Sequence, residues 1–338
     1  MQRRPLLVDV DTGIDDSLAL LYACASPEAE MVAATCVAGN TDARQAGLNT
    51  RAVLELAGRG DVEVALGRPV PLSRPLITTP ETHGPLGIGW AELPEPARDV
   101  SERHAADLVR DEIRRRPGEL TLVTLGPLTN IALAFHADPE LARLVGRLVI
   151  MGGSYRSPGN TSPTTEWNVS CDPEAAQIVF AAFTPAVVDA RLAAGLDPRP
   201  IALGLDVTER ARILPAHLER LAAAAGSADG SSPVVRFVGD ALRFYMEFHE
   251  KHDGFCGAFI HDPLALAAAL DPSLVETRPL RVDVELAGTL TTGETVADWR
   301  GARGLPPNVD VAVATDAEAF LERFIERVGR LARERASA

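Results

Sequence analysis

The stretch LLVDVDTGIDD (6–16) places Asp9, Asp11, Asp15 and Asp16 within eight residues, directly after an apolar run. Asp15 and Asp16 suit the first turn of a helix, where a carboxylate gains ~0.3–1 kcal/mol from the positive helix end. That leaves Asp9 and Asp11, at the end of the preceding strand, without an account. Neighbouring carboxylates repel one another unless a cation or protons intervene. A hard divalent ion with oxygen ligands, Ca²⁺ or Mg²⁺, meets this need better than zinc. Gly13 permits the tight turn that folds the acidic loop inward.

A second polar group, GNTSPTTEWN (159–168), combines amides with a carboxylate, a set suited to sugar hydroxyls. Read alone it is a polar loop leading into DPEAAQIVF, where Asp172 reads as a helix N-cap with Pro173 at the first helical position. HDPLALAAAL (261–270) has the same form, so Asp262 before Pro263 also reads as an N-cap.

The elements that must hold these groups alternate. PLLVDV, MVAATCVAG, VEVAL, LTLVTL and RLVIM read as buried strands. Between them IDDSLALLYACAS, DARQAGLNTRAVLELAG, SERHAADLVRDEIRRR, LTNIALAFHA and DPEAAQIVFAAF carry helical periodicity. This order implies an α/β fold, a mostly parallel central sheet flanked by helices. Ligands of such sheets bind beyond the carboxyl ends of the strands, where Asp9, Asp11, Asn40, Gly126 and Gly152-Gly153 fall. No internal repeat or long linker divides the chain, so residues 1–338 are expected to form a single domain. The Pro/Gly-rich segment 68–99 and GSADGSS (226–232) are expected loops, the first long enough to be a lid.

Composition narrows the function. Apolar residues make up 46%, enough for a large core, and a net charge of −14 disfavours nucleic acid or an anionic membrane as partner. Lys251 is the only lysine, which excludes most lysine-dependent chemistry. Cys24, Cys36, Cys171 and Cys256 lie far apart without a CxxC pair, so neither a zinc site nor a disulfide framework is indicated. With no apolar run of the ~18 residues a membrane span requires, a cytoplasmic location is expected.

An opening strand with DxD fits two families. A haloacid-dehalogenase-type phosphatase would use Asp9 as nucleophile and Asp11 as acid, but it needs a downstream cation, and the one lysine lies in FHEKHDG. The other is the inosine-uridine-preferring nucleoside hydrolase family, which the chain resembles over roughly residues 5–325. DVDTGIDD looks like that family's metal-binding opening. VAGN (37–40), LGPLTNIA (125–132), VIMGG (149–153), GNTSPTTEWN with CDPEAA, LDVT (205–208) and HDPLA (261–265) follow in the family's order. DxD alone is a weak signal; the ordered set is a strong one.

The resemblance implies hydrolysis of the N-glycosidic bond of a ribonucleoside through an oxocarbenium-like transition state, with Ca²⁺ as cofactor. It assigns the metal to Asp11, Asp16, Asp262 and the carbonyl of Leu125. It makes Asp11 the base that activates water, with Asn40 near the anomeric carbon. Asp9 would orient its neighbours. Asp15 would bind the 2′-hydroxyl, Asn160 and Glu166 the 5′-hydroxyl side, and Asn168 the 2′- and 3′-hydroxyl side, with Met151 under the ribose. His261 matches the histidine of inosine-uridine-type members, a candidate acid beside the base, where purine-specific members carry Trp. His83 lies on a loop that family members place over the base. Phe244, Tyr245, His249 and His252 flank the equivalent of the base pocket, as suited to packing as to contact. A non-specific or inosine/uridine preference follows, and relatives suggest a homodimer or homotetramer. Another N-ribosyl compound as substrate, or a catalytically silent ribose-binding protein, would use the same sugar-holding residues.

Overall fold

A computed structural model describes residues 3–227 and 231–336. Eight strands form the central sheet: β1 (Arg4–Val10), β2 (Ala29–Cys36), β3 (Glu63–Leu66), β4 (Thr121–Thr124), β5 (Arg147–Met151), β6 (Ile201–Leu203), β7 (Val275–Leu280) and β8 (Val309–Thr315). Their spatial order is β3-β2-β1-β4-β5-β6-β8-β7. All neighbours are parallel except β8 and β7, which are antiparallel at one edge. The expected mostly parallel sheet is therefore present, with three further strands, β6, β7 and β8, beyond those read from the sequence.

β1 shows why such strands lack alternation. Leu6, Val8 and Val10 face one apolar cluster and Leu7 the other, and all four are fully buried. The helices Ile14–Ala25, His261–Leu270 and Ala317–Ala336 cover the first face; Ala105–Arg115, Thr129–Ala137 and Pro173–Ala181 cover the second. With helices on both faces, every strand side chain needs an apolar partner. Among the described residues no single helix is long and apolar enough to cross a membrane.

The segment between β3 and the helix Ala105–Arg115 is irregular, as expected, apart from one helical turn, Pro80–His83. Residues 228–230 of the second expected loop lie outside the described residues. Two N-cap expectations part company. Asp172 does cap Pro173–Ala181, accepting from the Ala175 N–H at 3.1 Å. Asp262 does not cap: its helix begins one residue earlier, at His261, with Ile260 at the N-cap position. Asp262 stands inside the first turn, which frees its carboxylate for other partners.

Asp172 also ties distant segments together. Its Oδ2 accepts from the Leu72 N–H at 2.8 Å and the Thr129 hydroxyl at 2.7 Å. Asp172→Ala removes a cap and leaves two donors without this partner, a loss of about 2 kcal/mol. A drop in melting temperature of about 4 °C is expected by differential scanning calorimetry; an unchanged melting temperature would show that these bonds add nothing.

Candidate functional site

Asp9 sits in β1 opposite Thr35 of β2. The Thr35 hydroxyl donates to Asp9 Oδ1 at 2.5 Å, and Asn130 Nδ2 donates to the same oxygen at 2.8 Å. Oδ2 is buried without a partner. Burial pushes the carboxyl up to about 7.

Asp11 follows the strand end. The Asn40 backbone N–H donates to its Oδ2 at 2.7 Å, while Oδ1 is buried and unpartnered. Two glycines close against it. A Cβ at Gly39 would stand 2.2 Å from Asp11 Oδ2, and one at Gly126 would stand 2.8 Å from Oδ1. Only a residue without a side chain lets the backbone pass this near a carboxylate.

Asp16 holds the turn in shape. Its Oδ1 accepts from the Asp11 N–H at 3.2 Å; its Oδ2 accepts from the Gly13 N–H at 2.9 Å and from Asn40 Nδ2 at 3.2 Å. Asp262 arrives from the opposite end of the chain, on the helix His261–Leu270, which packs against Ile14–Ala25. Both helices direct their amino ends at this point, so each contributes roughly half a positive charge. One carboxylate oxygen from each of Asp15, Asp16 and Asp262 lies within 4.8 Å of the others, and all three residues are buried.

Burial first, and then the charges of the neighbouring aspartates, raise Asp11, Asp15 and Asp262 well above the usual carboxylate range. A divalent cation would offset both effects, ionise the group and give Asp11 Oδ1 a partner. The donors are all oxygens, which suits Ca²⁺ or Mg²⁺. The residues therefore fit such an ion. The sequence reading put Asp15 on the sugar, whereas the geometry brings its carboxylate into the tight group with Asp16 and Asp262. The Leu125 carbonyl accepts from Asn168 Nδ2 at 2.6 Å, so the carbonyl assigned to the metal and the amide assigned to the sugar already touch.

A cavity of about 520 Å³ opens above the aspartates. Asp15, Asn40, His83, Leu125, Met151, Asn160, Glu166, Asn168, His261 and Asp262 all line it. Asp11 and Asp16 lie fully buried beside these residues. Glu166 caps the short helix Trp167–Cys171, accepting from the N–H groups of Gly153, Asn168 and Val169 at 2.8 to 3.1 Å. Asn160 Oδ1 accepts from the Trp167 N–H at 3.0 Å, which joins the two ends of the polar loop.

Both histidines are held by Nδ1. The Ile14 N–H donates to His83 Nδ1 at 3.1 Å, which puts the proton of the neutral ring on Nε2. His261 Nδ1 lies 2.8 Å from the Thr208 hydroxyl. Burial lowers both rings to about 3, so they are neutral at pH 7.

Several contributors were not assigned from sequence. Asn130, inside LGPLTNIA, fixes Asp9 and also donates to the Cys36 carbonyl at 3.1 Å. In LDVT, Thr208 holds His261, and Asp206 accepts from the N–H groups of Tyr155, Arg156 and Ser157, anchoring the start of the polar loop. A signal was available: a polar residue within an otherwise apolar strand-to-helix junction.

The family model "Inosine-uridine preferring nucleoside hydrolase" matches residues 6–322. The chain is 38% identical over 327 residues to the pyrimidine-specific ribonucleoside hydrolase RihA of Enterobacter sp. (strain 638), covering 96% of this chain and 98% of that protein. It is 37% identical over 325 residues to RihA of Salmonella gallinarum, with the same coverage. Among solved structures it is similar to a purine-preferring ribonucleoside hydrolase from Gardnerella vaginalis. There the TM-score is 0.88 at 32% identity, over 98% of this chain and 100% of the other. A plant nucleoside hydrolase, PpNRh1, superimposes with a TM-score of 0.84 at 31% identity, over 96% and 98% of the two chains.

Gly39→Ala should press on Asp11 and weaken divalent-cation binding at least tenfold in titration calorimetry with Ca²⁺. An affinity equal to wild type would remove Asp11 from the ion's surroundings.

Proposed function

The chain belongs to the inosine-uridine preferring nucleoside hydrolase family, is a ribonucleoside hydrolase acting on a small-molecule nucleoside, and on that premise we propose how its own residues do the work. The observation that carries the reading is the meeting, in one cavity, of a buried carboxylate cluster with amides and a carboxylate suited to sugar hydroxyls. Asp11, Asp16, Asp262 and the Leu125 carbonyl, joined by Asp15, would hold a Ca²⁺. Such an ion supplies Lewis acidity at the sugar diol and at the attacking water.

The protein's own groups do the rest. Asp11 takes the proton from the water, a role typically worth ~10²–10⁴-fold in rate. Asn40 stands beside Asp11 and directs the water to the anomeric carbon. Asp15 also reaches the 2′-hydroxyl, Asn168 binds the 2′- and 3′-hydroxyl side, and Asn160 and Glu166 receive the 5′-hydroxyl. Met151 supports the ring from below. Holding the sugar at so many points positions the reacting atoms before the bond breaks. His261 and His83 face the departing base, each with Nδ1 engaged and Nε2 left for it.

A pyrimidine or inosine-uridine preference is our reading of the base site. It is supported by the pyrimidine-specific relatives and by His261, at the position where the resemblance implies Trp in purine-specific members. The four cysteines are free, which supports a cytoplasmic location. We further propose that the chain acts as one catalytic domain, assembled as a homodimer or homotetramer.

Release of free ribose from uridine, cytidine, inosine and adenosine tests the substrate. Uridine or inosine should lead, and a strict adenosine preference would overturn the reading. Asp11→Asn should cut kcat by at least 100-fold while Ca²⁺ still protects the fold against heat. Full activity after removal of divalent ions by chelation would refute the metal assignment.

A further inference from the structure

Four side chains of the cavity wall come from one helix, Pro233–His252: Tyr245, Phe248, His249 and His252. His249 differs from the others in how it is held. Its side chain is 6% exposed, and its Nδ1 lies 2.7 Å from Asp253 Oδ2. Asp253, one residue beyond the helix end, also lines the cavity, and its own backbone N–H is anchored on the His249 carbonyl at 2.8 Å.

A carboxylate can only accept here, so the ring proton sits on Nδ1. Burial, the largest influence on this ring, holds it below its usual range and hence neutral, although Asp253 opposes that shift. Nε2 then carries a lone pair. That atom is buried and has no hydrogen-bond partner. Against the His249 ring pack Tyr245 and Phe259, whose ring centroids lie 4.6 and 4.9 Å from its own and which line the same cavity. A buried acceptor without a donor is destabilising, and a ligand offering an N–H relieves that cost. A ring kept for packing alone has no use for a carboxylate that sets its tautomer.

We propose that the His249–Asp253 pair is a specificity element. It presents Nε2 as an acceptor to the base and selects nucleosides whose base offers an imide-type N–H, as uracil does at N3 and hypoxanthine at N1. This rests on the hydrolase reading above, so the test separates the two.

The full-length enzyme with Ca²⁺ is assayed for kcat/KM on uridine and on 3-methyluridine, which lacks that N–H. Wild type is also assayed on 4-nitrophenyl β-D-ribofuranoside, whose leaving group makes no such contact. Wild type should favour uridine over 3-methyluridine by tenfold or more. His249→Phe should lower uridine about tenfold and bring the ratio near one. Asp253→Ala, at the rim, should lower the ratio at least threefold and decides the matter should His249→Phe fail to fold. A ratio near one in wild type, or one that stays within twofold of wild type in the folded variants, overturns the proposal. No hydrolysis of any of the three compounds by wild type would instead overturn the hydrolase reading.

Discussion

Asp9, Asp11, Asp15, Asp16 and Asp262 are all buried, and the charges acting most strongly on Asp11, Asp15 and Asp262 are those of the other aspartates. So much negative charge in a low-dielectric interior is tolerable only with a counter-charge or with bound protons. Much of the surrounding architecture answers to this constraint. Two helix amino ends are aimed at the group, Asp16 is satisfied by backbone and amide donors, and two glycines admit the backbone beside Asp11. An ion that binds this arrangement and not the unfolded chain stabilises the fold as it completes the site.

The labour divides between rigid and adjustable parts. The acidic centre sits on the ends of β1 and on the first turns of two packed helices, elements that cannot drift without disturbing the core. The polar loop 159–168 is a tethered one. Asp206 gathers three successive N–H groups at its start, and Glu166 gathers three near its end. The same short helix that carries Asp206 also carries Thr208, which holds His261. One turn thus links the polar loop to His261 in the cavity wall. The opposite wall of the cavity is built from the segment after β3 and from the helix Pro233–His252, which contribute histidines and aromatic rings.

Similarity to known proteins spans nearly the whole chain, but the base preferences those proteins are named for differ, pyrimidine in some and purine in another. The chemistry of the sugar is common to all ribonucleosides, whereas the base is the variable part of the substrate.

Much of this was legible in the linear order. The alternation of apolar runs with helical periods implies a parallel sheet, because both of its faces must be covered. The DVDTGIDD stretch implies a cation, because nothing local neutralises it. The partner Asp262 and the polar loop were identified only through their resemblance to a family pattern. Tertiary structure decided the rest. Local rules made Asp262 an N-cap, but the packing of its helix on Ile14–Ala25 starts that helix at His261 and turns the carboxylate to the cluster. Only that approach places the Asp15 carboxylate with those of Asp16 and Asp262. Asn130 gained its role only when β4 lay beside β1 and carried the following helix to Asp9. His249 is as suited to packing as to contact in the sequence, because a helical period cannot tell a core histidine from one on a cavity wall with an unpartnered nitrogen. Sequence determines which residue types are available and how the backbone folds locally; which polar atoms end up buried together depends on contacts between distant segments, which only the tertiary structure makes.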